Sequence, residues 1–192
     1  MPMPRFAEIP TILPVRERRR RALLLASLQR ASGLDPGLLE PVLDRSPPRE
    51  APGDGEVLPV LLDRMRSILR DAGNTKALPD VALTSALAQS LVEAALSEVR
   101  SEAQRAGHEE SFVRLQPWLQ VALPEADAEN LAASTRQGTA GLQRALERLR
   151  RRFRQRIESG LALWSAEGEQ RQRLRRALHA AASTGGRHEL GS

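Results

Sequence analysis

A chain of 192 residues with 41% hydrophobic side chains is long enough for a genuine core, and its apolar share, glycine included, sits near that of globular proteins, which excludes global disorder. The lack of cysteine excludes disulfides, thiolate-bound zinc, iron–sulfur clusters and a thiol nucleophile, and no apolar run approaches the roughly 20 residues of a membrane span. The net charge of +5 rests on 29 basic residues of which only Lys76 is lysine, and with aromatics at 3% the core has to be Leu, Ala and Val, a composition that suits helices and suits sheets poorly.

Residues 1–45 read as a basic arm followed by a small helical pair. The Pro-punctuated start, Met1 to Val15, precedes an apolar stretch too short for a secretion signal, so a cytoplasmic chain is expected. The preference for arginine over lysine fits the coding bias of a GC-rich bacterial genome. A first helix is predicted over Arg16 to Ala31, closed by Gly33, which takes the left-handed backbone a helix end favours. Asp35 before Pro36 reads as an N-cap with a first-turn proline, opening a short helix through Leu38, Leu39, Val42 and Leu43. Residues 46–56 carry too many Pro and Gly for regular structure and read as a linker.

The main helical bundle is expected over 57–183. Leu58, Leu61, Met65, Ile68 and Ala72 fall on one helical stripe that Gly73 closes. Asp80 is placed to cap a long helix with the stripe Leu83, Leu87, Leu91 and Ala95, joined by Val92, Leu96, Val99, Ala103 and Ala106 and stopped at Gly107. The segment 111–123 also alternates with period two, but a lone strand has no partner, so short helical turns are expected with Pro117 opening the second. Pro124 and Asp127 begin one further helix, whose seam runs Leu142, Leu146, Leu149, Phe153, Ile157, Leu161 and Trp164. After an interruption at Gly168, a last helix carries Leu174, Ala177, Leu178 and Ala181, and residues 184–192 are expected to be a disordered tail. The fold class predicted is therefore all-α: an antiparallel bundle of about five to seven helices with a small N-terminal helical pair.

Motifs for chemistry are missing. His108, His179 and His188 are scattered, with neither an H-E-x-x-H nor a close histidine pair, and His108 beside Glu109 and Glu110 reads as a surface turn. No nucleophile elbow, S-x-x-K or phosphate-binding loop occurs, and acids such as Glu98 and Glu102 lie one turn apart on a charged face. No enzyme, metal or cofactor is expected, and no small-molecule substrate is inferred.

Charge is segregated instead. Residues 80–129 hold nine acids against three arginines, whereas 136–182 hold twelve arginines against four acids, so the acidic middle is expected beside a basic end. Two arginine clusters are the candidate partner-binding or polyanion-binding residues: Arg18, Arg19, Arg20 and Arg21, and Arg148, Arg151, Arg152, Arg154 and Arg156. The planar guanidinium fork grips phosphate or carboxylate through two contacts, while a solvated face with pairs such as Glu147–Arg151 and Glu167–Arg171 is the plainer alternative. The N-terminal pair has the approximate spacing of a DNA-reading helix-turn-helix. Gln29 at the helix crossing, Pro41 inside the second helix and the acids Asp35, Glu40 and Asp44 speak against it. Trp118 and Trp164 read most simply as core anchors. The expectation is a non-enzymatic protein that binds another protein or itself, as adaptor, chaperone-like partner or scaffold; the alternative is a nucleic-acid-binding protein that uses the arginines for phosphate contacts.

Overall fold

The computed structural model describes residues 14–45, 57–135, 138–165 and 168–185. The expected linker 46–56 lies outside the described residues, as do residues 1–13 of the arm, 186–192 of the tail with His188, and Glu167 of the Glu167–Arg171 pair. Among the described residues every regular element is helical: α1 (Val15–Ser32), α2 (Pro36–Arg45), α3 (Val57–Asp71), α4 (Asp80–Arg105), α5 (Glu109–Leu115), a 3-10 turn (Gln116–Trp118), α6 (Glu125–Thr135), α7 (Thr139–Leu161) and α8 (Gly168–Gly185). None of them is long and apolar enough to cross a membrane.

Local chemistry sets most of the ends. Gly33, Gly73 and Gly107 follow α1, α3 and α4 with φ of 70°, 87° and 71°, a backbone that costs a residue with a Cβ about 1 kcal/mol or more. Asp35 caps α2, its Oδ1 accepting the Gly37 N–H at 2.7 Å. Asp80 does not cap α4. Pro79 holds the N-cap position, and the Asp80 carboxylate is taken by Arg66 of α3. The short helix predicted through Leu43 runs unbroken past Pro41. The bond Pro41 cannot make would go to the carbonyl of Gly37, and both residues face water, while the fully buried Leu39 and the buried Leu43 hold the helix down.

The single helix expected from Pro124 to Trp164 is two helices. Gly138 has the extended backbone of an N-cap, φ −67° and ψ 149°, so α6 and α7 are separate and pack on each other. The apolar seam also outruns its helix: α7 ends at Leu161, yet Leu163 and Trp164 in the following turn stay buried. A heptad-like spacing cannot distinguish a continuous helix from a helix whose last apolar residues fold under in a turn.

Helix α4 is the axis of the molecule, touching α1, α3, α5, α7 and α8. Its first half puts Leu83, Leu87 and Leu91 into a core shared with Leu24 and Leu28 of α1, Leu39 of α2, Met65 and Ile68 of α3, Leu161 at the end of α7, Trp164 in the turn after it and Leu174 of α8. Its second half puts Ala95, Val99 and Ala103 into a second core with Phe112 and Leu115 of α5, Ala128 of α6 and Leu142, Leu146 and Phe153 of α7. Ile157 borders both. Cross-contacts fix the directions. Arg19 meets Glu98 while Arg30, eleven residues on, meets Glu93 and Ser90, so α1 and α4 are antiparallel. Arg156 meets Glu98 and Glu102 while Gly160 lies against Leu91, so α7 and α4 are antiparallel too.

Candidate interaction surface

The two arginine clusters behave differently once folded. On α1, Arg18 is exposed, but its neighbours turn inward. Arg16 donates to the Ala162 carbonyl at 2.9 Å, Arg19 pairs with Glu98, and Arg21 pairs with Asp44 of α2 at 2.7 Å. Arg20 lies over the Trp164 ring, 4.9 Å from its centroid, a cation–π contact on a buried indole. Burial holds the Arg20 guanidinium below its usual pKa, with Arg16 adding repulsion, and the half-buried Arg64 of α3 is lowered by burial and by Arg20. The buried Nε atoms of Arg20 and Arg21 have no hydrogen-bond partner among the described residues.

On α7 the position around the helix decides. Arg150 and Arg156 flank the apolar seam and reach back into the protein. Arg150 donates to the Trp118 carbonyl at 3.1 and 2.9 Å and to the Val121 carbonyl at 2.6 Å, closing the loop after the 3-10 turn. Arg156 pairs with Glu98, at 3.4 Å, and with Glu102. Glu98 thereby joins α1, α4 and α7 through two arginines, and Arg30 holds Glu93 at 2.6 Å. The acidic middle does pack beside the basic ends. Side chains in these pairs keep roughly a third of their surface, Glu102 less and Glu93 more, so each is worth about 1 kcal/mol at most.

Opposite the seam, Arg148, Arg151, Arg152 and Arg154 are exposed, and among the described residues none has a carboxylate within ion-pair distance, Glu147 included. Arg144 extends the row, its Nε returning to the Ala140 carbonyl at 3.2 Å. Arg151, Arg152, Arg154 and Arg156 line a groove completed by Arg105 at the end of α4. Its two carboxylates are engaged, Glu102 by Arg156 and Glu158 by Arg175 of α8 at 3.0 Å, which leaves Arg105, Arg151, Arg152 and Arg154 unbalanced. Arg105 belongs to this site but escaped sequence reading, because nothing in the acidic segment places the end of α4 beside α7.

On the α5 side of the same arginines is a cavity of about 300 Å³, with Phe112, Leu115, Leu142 and Leu149 as its apolar lining and Arg148 and Arg152 at its edge. His108 also lines it. The acids at the start of α5 are neutralised in place: Glu109 accepts from Gln104 at 2.6 Å and from Arg100, and Glu110 accepts from Arg114 at 2.5 Å. The hydrogen bond from Gln104, then that from Arg100, hold Glu109 below the usual carboxylate pKa. Both tryptophans face inward, Trp164 buried in the first core and Trp118 half-buried against the second. Comparison with protein-family models, with curated proteins and with solved structures finds no match to this chain.

Proposed function

We propose that this chain is a non-enzymatic helical protein that works by binding another protein through the outward arginine face of α7. One observation carries the reading. On a single helix, Arg150 and Arg156 are consumed by the protein's own carbonyls and carboxylates, while Arg148, Arg151, Arg152 and Arg154 keep four guanidinium groups exposed without an internal counter-charge among the described residues. Placing like charges side by side costs stability, so the fold gains nothing from this row, and an acidic surface offered by a partner relieves it.

The test compares the intact chain with a variant carrying Arg151→Glu, Arg152→Glu and Arg154→Glu, each immobilised and exposed to host extract, with helix content followed by circular dichroism. The expected result is unchanged helix content and about tenfold or greater loss of specific partner proteins. Equal capture by both chains rejects the arginine face. A second reading, nucleic-acid binding, is favoured by the spacing of the row, since Arg144 to Arg154 covers about 15 Å of helix, enough to reach consecutive phosphates. It predicts retention on duplex DNA that falls steeply with salt, with a log–log slope about three smaller in magnitude for the triple variant.

A further inference from the structure

The apolar cavity beside α5 and the arginine groove at the end of α4 are not two separate features. Arg152 and Ala106 line both. The cavity sets Phe112, Leu115, Leu142 and Leu149 beside Arg148 and Arg152, and the groove continues from Arg152 to Arg105, Arg151 and Arg154, so an apolar lining adjoins a row of guanidinium groups. Among the described residues no carboxylate lines the cavity, and the nearby acids of α5 are engaged, Glu109 by Arg100 and Gln104 and Glu110 by Arg114. A ligand matching this surface needs a bulky apolar group next to anionic groups. Duplex nucleic acid presents phosphates without such an apolar neighbour, whereas an acidic peptide with interspersed leucine or phenylalanine presents both.

We propose that the α5–α7 cavity and the adjoining arginine groove form one binding site for an acidic, leucine-bearing peptide segment of a partner protein, with an apolar side chain in the cavity and carboxylates on Arg148, Arg151, Arg152 and Arg154. The proposal rests on the protein-binding reading above and names the partner's chemistry. The two parts contribute differently: the carboxylates speed encounter and fade with salt, while the apolar side chain slows release and persists. A cavity of about 300 Å³ lies at the small end of ligand sites, the right scale for one large side chain and too small for a folded element.

The experiment uses the full chain and three fluorescein-labelled probes read by anisotropy at low salt: a peptide of repeated Glu-Glu-Leu-Leu units, the same peptide with every Leu replaced by Ser, and a short duplex DNA. The expected result is that the leucine peptide binds about tenfold or more tightly than the serine peptide, the value of burying one such side chain. Ala145→Phe, which fills the cavity from the half-exposed face of α7, is expected to abolish that preference while leaving serine-peptide binding unchanged. Should that variant lose helix content, the comparison of the two peptides on the natural chain still decides. Equal binding of both peptides, lost in the triple arginine variant, overturns the cavity's role and leaves the arginine face standing. Binding of the duplex with neither peptide bound overturns the proposal in favour of nucleic acid. No probe bound at low salt sinks both this proposal and the reading it rests on.

Discussion

Glycine 160 illustrates how one side chain's absence sets the distance between two helices. It is buried in α7, and a Cβ built there would fall inside the van der Waals envelope of Leu91 Cδ1 on α4. Gly141, on the same helix, has nothing within 4 Å of its Cβ position. Two substitutions therefore have opposite signs. Gly160→Val is expected to lower stability by about 1–3 kcal/mol, since Leu91 is itself buried and has little room to yield. Gly141→Ala is expected to raise it by about 0.4–1 kcal/mol through reduced freedom of the unfolded chain. Urea midpoints of the two variants against the natural chain check both, and a Gly160→Val midpoint equal to the natural one means the α4–α7 contact is looser than this packing requires. The arginines carry the same lesson: Arg152 and Arg156 differ by one turn in sequence, yet one meets solvent and the other two glutamates.

Helix α5 is held both by its apolar residues, Phe112 and Leu115, and by charge at its start. Seven residues are too few for a helix to persist alone, and its start is tied to α4 by Glu109 bonding to Arg100 and Gln104. Because Glu109 is held below its ordinary pKa, its contribution is fully present above the unfolded carboxylate value and is lost as pH falls through the lowered folded value. The melting temperature of Glu109→Gln is therefore expected to lie below that of the natural chain at neutral pH and to converge with it on acidification below about pH 4. A gap of constant size down to about pH 3 contradicts this assignment. The helix itself was expected only as short turns in 111–123, for its first residues, Glu109 and Glu110, precede the apolar pattern. Acids in a first turn favour such a start, and Glu109 and Glu110 supply that signal ahead of the apolar pattern.

For the molecule as a whole, the decisive feature is that α4 runs through both cores, with Leu83 to Leu91 in one and Ala95 to Ala103 in the other. Opening either core strips half of this helix of its packing, and a half-exposed helix is marginal in water. Both cores are therefore expected to unfold together. Trp164 reports the first core and Trp118 the second, so Trp118→Phe and Trp164→Phe variants each leave a single fluorescent probe. Their urea transitions are expected to coincide with each other and with the loss of helix signal, once each variant's own stability change is allowed for. A fluorescence midpoint separated from the helix midpoint in the same variant shows that the cores open independently.

Much of this architecture was legible without coordinates. Leucine and alanine at steps of three and four dictated helices and nominated the buried face of α3, α4 and α7, because burial of a helical stripe depends on spacing along one chain alone. Glycine in the left-handed region fixed three helix ends for an equally local reason. The split between α6 and α7 turns on the extended backbone at Gly138, which the apolar spacing passes over, whereas the fate of each arginine followed from neighbours distant in sequence. Which guanidinium meets a carboxylate and which meets water depends on α4 lying antiparallel to both α1 and α7, a fact of tertiary packing that leaves no trace in the order of residues along either helix.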